Sequence, residues 1–507
     1  MIKYKTKVGK DTKFAYILTS VFFILTLILI LHHAMWRDEL QAWMIAASSN
    51  SFSELFQNIK YEGHPSLWFV ILYLVKHVTT NPAAMKIVHL LIATASAFVF
   101  LKFAPFNNRL KGLFIFGYFS FFEYAVISRD YAIGILFLFI FCAYFGKDFK
   151  NRNYVFLSII LFLMCQSNVL AVILAIALAI TIFLEPLLLK DFIFYRSWRF
   201  YTSILIFAAG LMLSVLQMNP PADASLYHPV INPRNIPGKI VDQMSVLWSA
   251  FVPVPRIQLH FWNTNFLDYL PVEMRHALRL TLSSGILLFS IFILIRKKIP
   301  TFYFIISTFG IITFGGVFYG GYLRHWGHTY FAFVTALWLH NYYSAPKTSI
   351  SAFFRFFERN KNRFLTAIFS LGVLAALTAN TIGFMYPFSA SKQTADYIKQ
   401  NSWQNMPIAG HWFYAASGVS AYLDRAFYYP LIDTIGTFSV WKYKWDKTDI
   451  LMQVSKYRDF VKSDVLFIVN ERPLPDELVK SNGIVPLKNF TVSIVESEKF
   501  FLYMIPY

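Results

Sequence analysis

Apolar residues in this 507-residue chain fall in long, nearly unbroken runs instead of the three-to-four spacing of a half-buried soluble helix. Segments 14–31, 159–184, 280–295 and 364–384 each reach or approach the roughly 20 residues that cross a hydrocarbon core of about 30 Å. Lipid offers a backbone amide no partner, so such runs predict helices. Along the chain the pattern predicts about twelve spans, near 14–33, 65–80, 83–101, 112–128, 131–146, 154–166, 169–188, 200–216, 276–296, 301–320, 328–343 and 364–384. The fold expected is mainly α: a polytopic transmembrane helical bundle of about 11–13 spans.

Two stretches break the pattern. Residues 217–275 carry Pro220, Pro221, Pro229, Pro233, Pro237, Pro253 and Pro255 and are longer than an ordinary connection, which fits a lid or binding loop or a partly disordered one. From about Ser389 strand and helix patterns alternate, with helices expected at 391–401 and 415–423 and strands at 407–410, 426–429, 465–469 and 500–505. The organisation expected is a multi-span module over 1–385, with outer loops 34–64 and 217–275, and a small α/β extracytoplasmic domain over 386–507.

Composition agrees: 57% of the residues are hydrophobic, more than one soluble core of this length can hide. The net charge of +19 sits largely in short connections, 102–111, 147–152, 190–199, 296–298 and 347–363, which is the positive-inside pattern and leaves no charge to assign to nucleic acid. Lys3, Lys5, Lys7, Lys10 and Lys13 precede the first span, and no small-x-small cleavage site follows it. An uncleaved signal anchor is expected, with the N-terminus cytoplasmic, in a multi-pass protein of the cytoplasmic membrane. The basic connections then place the C-terminal domain outside, which requires an odd number of crossings; one of the twelve candidates is miscounted, and the short segments between 65 and 166 are the place to look. Cys142 and Cys165 lie in hydrophobic segments and support neither a disulfide nor a thiolate metal site.

Directly after the first span stands Trp36-Arg37-Asp38-Glu39-Leu40-Gln41-Ala42-Trp43-Met44. A helical wheel puts Trp36, Leu40, Trp43, Met44 and Ala47 on one face and Arg37, Asp38, Gln41 and Ser48 on the other, predicting a helix lying flat on the outer membrane surface. Adjacent residues differ by about 100° of rotation, so Asp38 and Glu39 have separate targets. Asp38 with Gln41 three residues on also matches a capping box, so the carboxylate fits a helix cap or a site; Ser51 with Glu54 is a second such box, read as a cap. Tyr61-Glu62-Gly63-His64-Pro65-Ser66-Leu67 precedes the second apolar run and offers a carboxylate and an imidazole, the latter equally at home as a helix-end hydrogen-bonding residue. Arg129, in Ser128-Arg129-Asp130, and Arg324, in Arg324-His325-Trp326-Gly327-His328, sit at span boundaries on the outer side, and a guanidinium fork suits phosphate. A snorkelling arginine, or an Arg129–Asp130 pair, fits the same pattern. His325 and His328 are too few for a zinc site.

Together these pieces resemble the membrane glycosyltransferases of the GT-C fold, in particular the bacterial branch of the protein O-mannosyltransferase and aminoarabinose transferase superfamily. Arg37-Asp38-Glu39 matches the acidic motif of the first outer loop, and Gly63-His64-Pro65-Ser66-Leu67 matches the His-Pro-Pro-Leu-like motif, with Ser66 in place of the second proline. The resemblance implies transfer of a sugar from a polyprenyl-phosphate donor, with inversion, to an acceptor protein, glycolipid or polysaccharide at the outer face of the membrane. It implies Asp38 as general base, Glu39 and Glu62 as residues that position acceptor or donor, and Arg129, Arg324 and His325 as neutralisers of the leaving phosphate, with His64 in the same substrate site. No cofactor is fixed, and a divalent metal is left open. A lipid-linked sugar transporter or flippase, or a surface polysaccharide polymerase or ligase, shares the membrane and the lipid; transporters usually carry internal repeats, and none is detected here.

Overall fold

The computed structural model describes residues 8–146, 152–190, 192–224, 233–344, 351–441 and 449–507. Lys3, Lys5, Lys7, Pro229 and parts of the basic connections 147–152 and 347–363 lie outside the described residues. The chain begins with α1 (Val8–His32), continues through three short helices, α2 (Arg37–Ser48), α3 (Phe52–Ile59) and α4 (Leu67–Lys76), and then returns through α5 (Ala84–Phe103). After α6 (Asn108–Ile115) and a π-helical turn over Phe119–Glu123 come α7 (Tyr131–Phe145), α8 (Tyr154–Cys165), α9 (Val169–Leu188) and α10 (Trp198–Met218). The Pro-rich stretch is not a structureless loop: it holds α11 (Ile236–Val246) and α12 (Trp248–Phe251), both packed on α13 (Val272–Leu294), with α11 also on α14 (Lys298–Val317). α15 (Leu323–His340) and α16 (Ala352–Met385) complete the bundle. Seven of these helices are long and apolar enough to cross a membrane.

Hydrogen bonds and ion pairs mark two ends of the bundle. At one end His32 bonds the carbonyl of Phe384, the Lys86 ammonium caps the carbonyl of His33, the Leu67 amide bonds the carbonyl of Gln166, and the Ser66 amide donates to Gln217. At the other, Arg152 pairs with Glu185, the Tyr343 hydroxyl donates to Glu185, Lys297 donates to the carbonyl of His340, and Arg296 pairs with Glu358. Among the described residues the chain runs eleven times between these ends, as α1, α5, the segment 104–130, α7, α8, α9, α10, α13, α14, α15 and α16. The number is odd, and the miscounted span is 65–80. Its helix α4 has 10 residues, about 15 Å of rise. Its Lys76 ammonium returns to the carbonyls of Ala47 and Ser49 at the close of α2, so both ends of α4 stay on one side.

The candidate at 112–128 does traverse the bundle, but as a broken path. α6 stops at Ile115, Gly117 meets Gly372 of α16 where a Cβ on Gly372 would stand 3.6 Å from the Gly117 Cα, and the π-helical turn follows. Small residues allow two backbones this approach in a bundle, and π-helical turns tend to mark functional positions. Here the turn delivers Glu123, Tyr124 and Arg129 to the end where α1 finishes.

Beyond α16 the chain folds into a six-stranded mixed sheet, with β1 (Ile408–Gly410), β2 (Phe427–Tyr429), β3 (Thr434–Gly436), β4 (Val465–Asn470), β5 (Val485–Phe490) and β6 (Phe500–Ile505) in the order β3-β2-β1-β4-β6-β5. β1 is parallel to β2 and β4, and the remaining pairs are antiparallel. Alternation sorts the strands into two faces. Ile408, Leu466, Ile468, Phe500 and Leu502 pack under α17 (Ser391–Gln400) and α18 (Phe413–Leu423), while Val465, Phe467, Val469 and Tyr503 pack with Val454 of α19 (Ile450–Val461) and Val479 of α20 (Asp476–Ser481).

α2 does not lie flat on a membrane surface. It is held between α4 and α18, with Glu39 to Ala46 buried and Trp43 only 1% exposed. The wheel's apolar face meets protein, and Arg37, Gln41 and Ser48 of its polar face bond to the sheet domain. Impermeant-maleimide labelling tests the reassigned α4: Val78→Cys, in the 86% exposed turn after α4, should label from the same side of the membrane as Phe460→Cys, an 82% exposed position on α19. Labelling from opposite sides would restore α4 as a span; Cys142 and Cys165 are buried and give little background.

Candidate functional site

The α2 helix starts at the domain-bearing end of the bundle, and its first turn gathers carboxylates where free amides and the positive end of the helix favour them. Trp36 is the N-cap, and Glu39 closes the turn by accepting from the Trp36 amide at 3.1 Å. The capping carboxylate is therefore Glu39, not Asp38, because the helix begins two residues before the Asp38–Gln41 box requires. The box at Ser51 forms as a cap, the Glu54 amide donating to Ser51 Oγ at 3.1 Å.

Glu39 is wholly buried. Its other oxygen accepts from the Ser128 amide at 2.6 Å, and Oε2 also pairs with His33 Nε2 at 2.8 Å. One carboxylate thus ties the end of α1, the start of α2 and the turn that carries Arg129. Burial opposes its charge, but His33 and the Ser128 and Trp36 amides outweigh burial and hold its pKa below the ordinary value.

Freed from capping, Asp38 faces a cleft of about 610 Å³ lined by Asp38, Gln41, Glu62, His64, Arg129 and Asp130 on its polar side and Ala42, Trp68, Phe69 and Trp441 on its apolar side. Arg129 Nη1 stands 2.8 Å from Asp38 Oδ2, and Arg324 Nη2 reaches the same oxygen at 4.0 Å. Burial would raise the Asp38 pKa; Arg129, Arg37 and Arg324 more than offset it and hold the carboxylate below its usual range. The ion pair Arg129 forms is with Asp38, and its sequence neighbour Asp130 instead turns into the cleft wall with Oδ1 buried and unpartnered.

Gly63 adopts φ 63°, a left-handed conformation that costs glycine nothing. The turn it makes presents Glu62 and His64 to the cleft together. Burial pushes Glu62 up to about 7; Gln41 and Arg129 lower it while Asp38 adds to the rise. Burial lowers His64, whose Nδ1 has no partner. Ser66 stands where the resembled motif has proline, and its amide donates to Gln217 at 2.9 Å, a bond proline cannot make.

Arg324, second residue of α15, packs its guanidinium among Tyr322, Trp262 and Trp36 at 4.8, 5.0 and 5.6 Å from the ring centres. This is the geometry of cation–π contact. Its Nε and Nη1 are buried without an acceptor. His325 lies apart from the cleft lining: Nδ1 accepts from the Tyr322 amide at 2.8 Å and Nε2 bonds the Tyr131 hydroxyl at 3.0 Å, so it fastens the start of α15. Among the described residues no group of three or more His, Cys, Asp or Glu side chains is placed to hold a metal ion.

Of the residues singled out from sequence, Asp38, Glu62, His64, Arg129 and Arg324 converge, while Glu39 and His325 serve the elements that carry them. Sequence reasoning did not find Trp441, which reaches the cleft from the sheet domain, or Trp262, which donates to Glu123 Oε2 at 3.1 Å and packs edge-on against Trp36 at 4.7 Å. Only the Trp- and Pro-bearing composition of 217–275 hinted at the latter.

No family profile matches the chain, and no curated protein matches its sequence. Among solved structures it is similar to the crystal structure of ArnT from Cupriavidus metallidurans bound to undecaprenyl phosphate, with 11% identity over 98% of each chain and a TM-score of 0.49.

The Glu39 tie predicts a stability signature. Glu39→Gln should lose about 2–3 kcal/mol at neutral pH, the scale of charged hydrogen bonds left unmade. Because the folded pKa is depressed, that contribution is present above the ordinary glutamate value of about 4.3 and is lost as pH falls through the folded one. Thermal unfolding in detergent should show the gap between wild type and variant narrowing below about pH 4; a gap constant down to pH 3 contradicts the tie.

Proposed function

We propose that this multi-pass membrane protein is an inverting glycosyltransferase that uses a polyprenyl-phosphate sugar donor at the outer face of the cytoplasmic membrane. The observation that carries the reading is the shared Asp38 oxygen between Arg129 and Arg324 at the cleft that also holds Glu62 and His64. A carboxylate beside two guanidinium groups supplies both halves of such a transfer, a proton acceptor and a receiver for a leaving phosphate. The described basic residues Arg152, Arg296 and Lys297 lie at the opposite end of the bundle, which supports a cytoplasmic N-terminus and an extracytoplasmic sheet domain. Nucleotide sugars are not available on that side, whereas a lipid-linked donor brings its phosphate to the ends of the spans, and the cleft lies beside the end of α1 and the start of α7.

In the resting protein Asp38 is the counter-ion of the arginines and a weak base. Donor phosphate takes over Arg129 and the unpartnered Nε and Nη1 of Arg324, which returns Asp38 toward the ordinary carboxylate range and frees its oxygen. The acceptor hydroxyl or amine then attacks the anomeric carbon and gives its proton to Asp38. The bond from that carbon to the phosphate oxygen breaks, and the electron pair leaves with the polyprenyl phosphate. Glu62, near 7, is placed to orient the acceptor. Arginine's fork is the better partner here because it binds two phosphate oxygens at once.

Asp38→Asn should lower sugar transfer from a lipid-phosphate donor in proteoliposomes by about 10²- to 10⁴-fold, the usual share of a positioned base. Undiminished turnover removes Asp38 from that role.

A further inference from the structure

One wall of the cleft comes from a different part of the chain. From the last residue of β3, Gly436, the segment 436–441 leaves the sheet and runs along α2, bringing Trp441 to the cleft. Ser48 Oγ and Thr437 Oγ1 bond at 2.9 Å. Seven residues earlier on α2, two turns of helix, Gln41 Nε2 donates to the carbonyl of Ser439 at 2.7 Å, and Gln41 Oε1 accepts from the Ser439 amide at 2.9 Å. The side-chain amide pairs with a backbone residue as a neighbouring strand would. Its second N–H then goes to Glu62 Oε1 at 2.8 Å. Gln41, Ser439 and Glu62 are all buried, at 9%, 3% and 7% exposure, so none of these bonds has ready replacement by solvent.

We propose that Gln41 is a positioning residue that couples the seating of segment 436–441, and with it Trp441, to the orientation of the Glu62 carboxyl in the cleft. If the segment lifts, the amide loses both bonds to Ser439 and is free to turn, and Glu62 loses its donor. The sheet domain is then a working part of the site: its loop supplies an aromatic wall and sets the polar group opposite. The direction of action matters, because Gln41 touches Glu62 but not the reacting atoms. The charged and titratable groups facing Glu62 are Asp38 from α2, His64 from its own turn, and Arg129 and Asp130 from the turn before α7. Thr437, Phe438, Ser439, Val440 and Trp441 carry no titratable side chain in the working pH range, so the segment influences Glu62 through the Gln41 amide and not through charge.

The role in transfer rests on the glycosyltransferase reading, but the coupling does not, and the two fail separately. Gln41→Leu and the size-preserving Gln41→Glu are prepared in the full-length protein, and the ionisation midpoint of Glu62 is read by infrared difference spectroscopy, its band assigned with Glu62→Gln. Both variants should move the midpoint to higher pH, because the Gln41 N–H favours the ionised form. In proteoliposomes with the lipid-phosphate donor, acceptor KM should rise at least about fivefold, the effect of one lost hydrogen bond of about 1 kcal/mol, with kcat changed less. An unmoved midpoint in both variants overturns the coupling whatever transfer does, and a moved midpoint with unaltered acceptor KM overturns its role in transfer while the coupling stands. Absence of transfer by the wild-type protein overturns the functional reading instead and leaves the spectroscopic result standing.

Discussion

A carboxylate held between two arginines is costly to assemble and costlier to leave half made. Asp38, Arg129 and Arg324 come from three distant parts of the chain, and removing Asp38 leaves two largely buried guanidinium groups facing one another without their shared counter-ion. That constraint accounts for much of the surrounding architecture. α1 must end where the 128–130 turn arrives, and Glu39 binds them together. α15 must begin there too, and His325 and the cage of Tyr322, Trp262 and Trp36 hold its first turn. The sheet domain closes the third side: Glu498 Oε1 accepts from the Arg37 amide at 3.0 Å, and the Tyr422 hydroxyl accepts from the Met35 amide at 3.0 Å, at the root of α2.

Hydropathy made most of the bundle legible because an apolar run of span length has few alternatives to a buried helix. It failed at one place, 65–80, and missed a break at another; the failure has a physical reason, since apolarity reports burial, not crossing. Residues 67–76 are apolar because α4 packs between α2 and the bundle, and at 10 residues it has no length to cross. Residues 112–128 are apolar and do traverse, yet the Gly117–Gly372 approach and the π-helical turn break the helix, and no local pattern announces a break imposed by another helix. The wheel of α2 separated Asp38 from Glu39 correctly, but it took the apolar face for lipid-facing when protein covers it.

In the sheet domain the strands seen in sequence are the interior or hydrophobic ones, such as Val465–Asn470, buried throughout. The edge strand Val485–Phe490, with its proline and lysine, reads as a loop because an edge needs neither alternation nor burial. Motif order around Asp38, His64 and the two arginines was enough to suggest one site. Trp441 and the Gln41–Ser439 pairing were not legible, since they depend on a contact between residues 398 apart in sequence.

In the proposed transfer the two arginines hold Asp38 in reserve until a phosphate replaces it, and Trp441 of the sheet domain walls the acceptor side. That transfer is a single displacement at the anomeric carbon, and the most direct measurement is the anomeric configuration of the product. Proteoliposomes supplied with a polyprenyl-phosphate sugar of known anomer and an acceptor should yield, by NMR, a glycoside of the opposite configuration. Retained configuration, or movement of the lipid-linked sugar across the bilayer with no new glycosidic bond, would contradict it.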